Sequence, residues 1–257
     1  MGSWISHLRI AENLLGRLSG LDEVGFTFGC LAPDSGKPNA DWTVFDPPKE
    51  VSHFLSGGEG ENSVQDLRFY RQYLLPYDRR QDPAVYSFLV GYFVHLVSDR
   101  LWSAKVGKAS RQYYADLFNG RAEFAAWDII KEDWYGLDHL YVRAHPDCLF
   151  WRVFLVQPTP ASALPFVPQD SFERQMQHIR EYYSQPSPDL VLDRRFPYLN
   201  EATMARYVDE TSASLVKIMR LLAACPPPEG LDSATLLLTS GETAPFAAPL
   251  GDLPDED

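Results

Sequence analysis

Two residues of one apolar segment have side chains from which metal sites are commonly built. His95 and Asp99 lie four residues apart in GYFVHLVSDRLW, a segment whose composition predicts a helix. Because residues four apart project from one side of an α-helix, the imidazole and the carboxylate would face the same point. A buried aspartate is costly unless it is paired or bound to a cation, and histidine with a carboxylate is a common pair of zinc ligands. The spacing therefore predicts part of a metal site.

Further ligands must come from other segments, and three candidates precede this helix. Asp34 in LAPDSG and His53 in VSHF lie in a stretch, 25–62, that is rich in turn-forming residues. A long irregular segment inside a compact domain is usually functional or disordered, and the aromatic anchors of this one favour an ordered, functional segment. His7 lies at the edge of the buried face of a helix predicted over 4–18.

Each candidate also fits an ordinary structural role when it is considered alone. A lone histidine on an apolar helix is commonly a hydrogen-bonded core residue, and an aspartate after a proline commonly closes a turn. His95 and Asp99 could equally form a buried hydrogen-bonded pair. The ordered combination is what favours a metal site, and it contains five candidate ligands: His7, Asp34, His53, His95 and Asp99.

The composition sets limits on the class of protein. With 257 residues, of which 45% are hydrophobic, the chain can bury one substantial core. Its net charge of −12 argues against nucleic acid as a partner, because phosphate backbones require basic surfaces. Three scattered cysteines fit a reducing compartment. With no evident secretion signal and no apolar stretch that could span a bilayer, we expect a cytoplasmic protein without stable membrane association.

Turn signals and apolar periodicity divide the chain into helices. The clearest start is Asp82 with Pro83, a capping residue and a first-turn proline, and this helix is expected to run to about Lys105. Other helices are predicted over 4–18, 64–76, 109–118, 121–143, 170–184 and 200–224, while 149–156 is ambiguous between helix and strand. The expected fold is all-α, a single multi-helix domain over residues 1–225. The Pro-rich residues 226–257 hold seven acidic residues and no lysine or arginine, and are predicted to be disordered.

The order of the candidate ligands resembles a known family. It is similar to that of the zinc-dependent phospholipase C and S1/P1 nuclease superfamily, in its intracellular phospholipase-C-like branch. The similar residues, in chain order, are His7, Asp34, His53 and His95-x3-Asp99. The resemblance covers roughly residues 4–105 and extends more weakly to KEDWYGLD at 131–138. It implies an all-α domain of the phospholipase C/P1 nuclease type.

The resemblance also implies how the ligands are shared between metal ions. One zinc would be surrounded by Asp34, His53, His95 and Asp99. Asp99 would bridge to a second zinc held by His7, and Asp138 could complete that second site from an inward stripe of its predicted helix. The family's third zinc lacks its ligands here, because neither His139 nor His178 has an acid four residues later. One or two zinc ions are therefore expected, although the mixed nitrogen and oxygen ligands also suit Mn, Fe, Ni or Co.

The expected reaction is metal-dependent hydrolysis of a phosphate ester, most simply a phosphodiester of a small molecule or lipid, with metal-activated water as the nucleophile. Asp34 is the first candidate for a catalytic role beyond ligation, as a general base, and Asp138 is the second. One alternative is an HD-type helical phosphohydrolase acting on nucleotides or small phosphomonoesters, for which the chain offers only the reversed pair Asp138-His139. Another alternative is a noncatalytic helical module with a structural metal.

Overall fold

A computed structural model describes residues 2–38, 45–56 and 64–254, and it confirms that the protein is mostly helical. The α-helices are Trp4–Leu15 (α1), Glu23–Gly29 (α2), Lys49–Ser52 (α3), Asp66–Phe69 (α4), Pro83–Trp102 (α5), Lys108–Tyr113 (α6), Ala115–Phe118 (α7), Glu123–Ala144 (α8), Gln169–Ser184 (α9) and Glu201–Ala224 (α10). Wider π-helical turns occupy Tyr70–Leu74, Ser103–Gly107 and Phe150–Phe154, and tight 3-10 turns occupy Ala32–Asp34 and Ala234–Leu237. Within the described residues, the strands Lys37–Pro38 (β1) and Phe45–Asp46 (β2) form one short antiparallel pair.

Helix α5 is the central element of the fold. It begins as predicted, because the Asp82 side chain accepts hydrogen bonds from the N–H groups of Ala84 and Val85, and Pro83 occupies the first turn. Fifteen of its twenty residues are buried, so it is enclosed on nearly every side. Helices α1, α2 and α10 pack against it. Polar side chains on such a helix must find their partners inside the protein.

Helices α2 and α5 cross at very short range, and glycines make this possible. A Cβ atom on Gly91 would lie 2.4 Å from the carbonyl oxygen of Phe26, and one on Gly29 would lie 2.2 Å from that of Phe88. Glycine has no side chain, and this allows the two helix backbones to come this close. The crossing brings the end of α2 to the middle of α5, one turn from His95.

The stretch 25–62, predicted as irregular, differs from that prediction at its start. It opens inside helix α2, whose N-terminus is capped by Asp22 accepting from the N–H of Gly25 at 2.7 Å. Apolar periodicity does not predict this helix, because its sequence, EVGFTFG, is only seven residues long and has no amphipathic period. Residues 39–44 and 57–63 of the stretch lie outside the described residues.

The C-terminal segment also differs from its prediction. Residues 226–254 were expected to be disordered, but the structure packs much of this segment on the helical domain. Buried Asp66 accepts hydrogen bonds from the Ser233 hydroxyl and from the N–H of Ala234, and the N–H of Phe246 donates to the carbonyl of Lys105 at 2.9 Å. Composition suggested disorder, but a few apolar anchors, Phe246 among them, are enough to hold the segment. Residues 255–257 lie outside the described residues.

Among the helices that the structure describes, none combines the length and the apolar character that crossing a membrane requires.

Candidate metal centre

Helix α5 supplies the two residues on which the site is built. His95 and Asp99 are almost completely buried, and the Nε2 of His95 lies 3.4 Å from Oδ2 of Asp99. The other ring nitrogen, Nδ1, lies 2.8 Å from the carbonyl oxygen of Cys30. Because a carbonyl can only accept, Nδ1 carries a proton, and Nε2 is left to face the carboxylate with its lone pair. Two electron-rich atoms at this separation repel each other unless a proton or a metal ion lies between them.

His53 and Asp34 approach the same carboxylate from the loop side. His53 ends helix α3, and its Nε2 lies 3.3 Å from Oδ1 of Asp34 and 3.6 Å from Oδ2 of Asp99. Its Nδ1 lies 3.0 Å from the Ser52 hydroxyl, which fixes the ring. The hydroxyl of Tyr92 on α5 donates to the Ser52 carbonyl at 2.5 Å and so ties α3 to the central helix. Asp34 occupies the 3-10 turn and is 12% exposed, unlike the histidine it faces.

His7 reaches the cluster from α1. Its Nε2 lies 3.4 Å from Oδ1 of Asp99, and its ring stacks on that of His95 with centroids 3.9 Å apart. The N–H of Gly2 donates to the same Asp99 oxygen at 2.9 Å. Helix α1 begins at Trp4, where the predicted helix over 4–18 also begins, and Ser3 is its cap. This start sets the position of His7 one turn after the cap.

The structure thus brings together all five residues that the sequence singled out. Two sets of possible ligand atoms each lie within 4.8 Å of one another: His7 with His95 and Asp99, and Asp34 with His53 and His95. The five residues come from α1, the 3-10 turn, α3 and α5, which are separated by up to 92 residues of chain (7 to 99). That they ligate a metal stays a prediction.

Orphaned polar atoms test whether a metal would fit. Among the described residues, five buried ring or carboxylate atoms of the cluster have no hydrogen-bond partner: Nδ1 and Nε2 of His7, Nε2 of His53, Nε2 of His95 and Oδ2 of Asp99. Each buried polar atom without a partner costs about 1–3 kcal/mol. A divalent ion would satisfy several at once, and three imidazoles with two carboxylates suit zinc or a neighbouring transition metal. The residues therefore fit a metal.

Protonation in the cluster also favours a cation. Burial raises the pKa of Asp99, but the charge of His95 and the close contact of the His7 imidazole outweigh it and hold the pKa well below its ordinary value. The pKa of Asp34 is likewise lowered, since the close contact of the His53 imidazole and the charge of His95 overcome burial. The pKa of His7 is lowered, first by burial and then by His95. Ionised carboxylates and a neutral imidazole are the forms that bind metal.

The pKa of His95 moves in the opposite direction. Burial alone would lower it, but the adjacent Asp99 carboxylate and the more distant Asp34 raise the pKa of His95. Without a metal, a proton on His95 can therefore take the place of the cation that the cluster requires. Metal binding must displace that proton, so the two cations compete.

Asp138 is placed apart from this cluster, and its prediction as a ligand and catalytic residue is corrected. It is buried, and its two oxygens accept from the Ser3 hydroxyl at 2.8 Å and from the Tyr183 hydroxyl at 2.6 Å. It belongs to neither ligand group nor, among the described residues, to the wall of the neighbouring cavity. Burial raises the pKa of Asp138 to about 7 despite these hydrogen bonds. The carboxyl group is therefore a structural support that holds the start of α1 through Ser3.

His139, the other half of an HD-type pair, also lies away from the cluster. Its ring is packed beside those of Tyr182 and Tyr183, with centroids 5.0 and 4.9 Å away. Burial lowers the pKa of His139 to about 4. Within the described residues it belongs to neither ligand group, so the geometry gives no support to the HD-type alternative.

A cavity of about 300 Å³ opens beside the cluster at Asp34 and His53. The face of α8 that carries Trp127, Lys131 and Trp134 also lines this cavity. Ligand pockets range upward from about 300 Å³, so the cavity is large enough for a small molecule. The cluster is therefore buried on most sides and reachable from one.

Several supporting groups could not have been found by reading the sequence. The carbonyl of Cys30, which fixes the His95 tautomer, is a backbone group, and no residue type signals its role. The link from Asp138 through Ser3 depends on the packing of α8 on α1. Compared with protein-family models, with curated proteins and with solved structures, the chain shows no match in any of the three.

Proposed function

We propose that this protein is a metal-dependent hydrolase of phosphate esters, with an all-α domain of the phospholipase C/P1 nuclease type. The observation that supports the proposal is the cluster of orphaned imidazole and carboxylate atoms at the edge of a cavity. Zinc is the expected metal, and a phosphodiester is the expected substrate. A reducing, cytoplasmic environment belongs to the same proposal, and the three cysteines are free.

The residues divide into two overlapping ligand sets. Asp34, His53, His95 and Asp99 would hold a first ion, and His7 with Asp99 would hold a second. When bound, such ions supply a water of lowered pKa and neutralise charge on the phosphoryl group. Gly2 and Cys30 support the ligands through the hydrogen bonds already described.

Asp34 has the position of a residue with a second role. It is the one carboxylate of the cluster in contact with the cavity among the described residues, and its low pKa keeps it ionised. It can accept a hydrogen bond from a water molecule that approaches a bound ester. In the hydrolysis, the water oxygen bonds to phosphorus, the P–O ester bond breaks and the leaving alcohol takes up a proton.

The accessible position of Asp34 favours an enzyme over a module with a structural metal. Structural zinc sites are closed by four protein ligands, whereas catalytic sites leave one position for water or substrate. Here the cluster is buried at His7, His95 and Asp99 but meets the cavity at Asp34 and His53. This arrangement is typical of a site that receives a ligand.

Hydrolysis of bis(p-nitrophenyl) phosphate tests the proposal. We expect hydrolytic activity that a chelator removes and zinc restores. Asp34→Asn should lower the activity at least roughly a hundredfold, because Asp34 is proposed both as a metal ligand and as the acceptor for the attacking water. His145→Ala is the matched control, since His145 is exposed and lies outside both ligand groups. An activity that survives chelation, or that Asp34→Asn leaves unchanged, would contradict the assignment.

A further inference from the structure

We infer that the substrate is a small phosphate ester whose leaving group carries a planar aromatic ring, and that the cavity-facing side of α8 binds this leaving group. The inference rests on the proposed phosphoesterase function and deepens it. The residues that carry it are Trp127, Lys131, Trp134 and Tyr135, which line the cavity together. We call them the α8 face.

The spacing of these residues explains why they share one side of the helix. Positions 127, 131, 134 and 135 follow one another at intervals of four, three and one, which keeps them within one stripe of an α-helix. Asp34 and His53 of the metal cluster line the same cavity. A molecule in the cavity can therefore contact both the ligand cluster and the α8 face.

Aromatic rings dominate the α8 face and its surroundings. The rings of Trp127 and Trp134 have centroids 5.9 Å apart, and Trp134 packs edge-on against Trp102 at 4.7 Å. The rings of Trp4 and Tyr135 lie 6.3 Å apart. Contiguous rings offer flat π surfaces on which another planar group can stack. A leaving group without a planar ring could not stack on these aromatic side chains and would bind less tightly.

The charges that line the cavity favour an anion. Lys49 and Lys131 bring two ammonium groups, whereas Asp34 is the one acidic residue among the described lining residues. Lys131 lies between Trp127 and Trp134 along the α8 face, so the helix face that carries the rings also carries a basic residue. This arrangement suits an ester oxygen or phosphoryl oxygen next to an aromatic ring. It disfavours a leaving group that carries a positive charge, because like charges would be brought together.

The size of the cavity limits the leaving group further. About 300 Å³ holds a phosphoryl group with a small ring system, and lies at the lower end of ligand pockets. A phospholipid with two long acyl chains would have to leave most of its apolar surface outside. Size, charge and aromatic lining therefore point to the same class of substrate.

Matched pairs of esters test the inference without a difference in leaving-group reactivity. One pair is benzyl phosphate with cyclohexylmethyl phosphate, and the other is the methyl diesters of the same two compounds. The two leaving alcohols of each pair are similar in reactivity, but only the benzyl alcohol carries a planar ring. Within whichever pair the enzyme hydrolyses, we expect kcat/KM to be roughly tenfold higher for the benzyl ester than for the cyclohexylmethyl ester. Trp127→Leu should remove this preference, and Lys131→Gln should raise KM for both members roughly tenfold. Phe124→Ala is the control, because Phe124 lies on α8 and is 72% exposed.

Binding of two inert analogues separates this inference from the proposed function. Benzylphosphonate and cyclohexylmethylphosphonate can be titrated into the zinc-loaded protein while tryptophan fluorescence is recorded. Tighter binding of the benzyl compound that Trp127→Leu abolishes would support the inference even if no ester were hydrolysed. Hydrolysis or binding without preference for the ring would overturn the inference and leave the hydrolase proposal standing. Faster hydrolysis of phosphatidylcholine vesicles than of benzyl esters would overturn it as well.

Discussion

At the scale of single residues, two equally buried aspartates, Asp99 and Asp138, differ in which protonation state their surroundings favour. Asp99 is held ionised mainly by its neighbours His95 and His7 and accepts from the N–H of Gly2, whereas Asp138 accepts from two hydroxyl groups. Both carboxyl groups are buried to the same extent, at 1% exposure. Their pKa values are nevertheless shifted in opposite directions, because the interactions of Asp99 with the two imidazoles outweigh burial, whereas the hydroxyl hydrogen bonds of Asp138 and the charge of Arg9 do not.

The raised pKa of Asp138 predicts a particular dependence of stability on pH. Between its ordinary value near 4 and about 7, the folded protein keeps the proton while the unfolded chain releases it, so stability falls as pH rises through this range. Asp138→Asn cannot lose a proton. Relative to the wild type, it should gain about 4 kcal/mol between pH 4 and pH 8. Urea denaturation across this range measures the difference, and parallel stability curves would contradict the prediction.

Much of the candidate site could be predicted from the sequence. The types of the five cluster residues and their order in the chain are enough to single them out as candidate ligands. The prediction for Asp138 was wrong because an inward-facing position on a helix suits a metal ligand and a hydrogen-bonded structural aspartate equally well. The difference lies in Ser3 and Tyr183, two partners that are 135 and 45 residues distant in the chain.

At the scale of the secondary-structure elements, the crossing of α2 and α5 positions His95. The Cys30 carbonyl that holds its Nδ1 follows directly after α2, and α2 can approach α5 only because Gly29 and Gly91 lack side chains. The boundaries of α5 were predictable from Asp82 and Pro83, because capping is local chemistry. The presence of α2 was not, because its support comes from burial against α5 and not from its own periodicity.

Gly91→Ala should therefore be destabilising although alanine has the higher helix propensity. The new Cβ would lie 2.4 Å from the Phe26 carbonyl oxygen, so the two helices must separate. We expect a loss of roughly 1–3 kcal/mol in the free energy of unfolding, together with weaker metal binding because the Cys30 carbonyl moves. Gly16→Ala is the control, since its nearest contact would be an ordinary 3.7 Å. Equal stability of the two variants in chemical denaturation would refute the account of the crossing.

At the scale of the whole molecule, the C-terminal segment is part of the core. Phe246 and Leu250 are 3% and 1% exposed, and Ala234 is fully buried. The sequence predicted the all-α class correctly because helix signals recur along residues 4–224. It failed for 226–254 because composition averages over many exposed polar and proline residues and hides the few that anchor the segment.

Removal of residues 226–257 should therefore destabilise the protein strongly. The deletion exposes the surface covered by Phe246 and Leu250, and leaves buried Asp66 without its partners Ser233 and Ala234. Burial of two large apolar side chains alone is worth at least about 3 kcal/mol. Deletion of 253–257 is the control, because Leu253 is 68% exposed. If the longer deletion unfolds at the same urea concentration as the full chain, the segment does not belong to the core.

The central claim is that the five-residue cluster binds a metal, and metal content tests it most directly. The protein is reconstituted with zinc or manganese, desalted and measured by plasma mass spectrometry beside His95→Ala, Asp99→Asn and the control His145→Ala. The account predicts about one to two ions per chain in the wild type and the control, and loss of most of that metal in the two cluster variants. A folded wild-type protein that retains no metal, or cluster variants that retain all of it, would contradict the account.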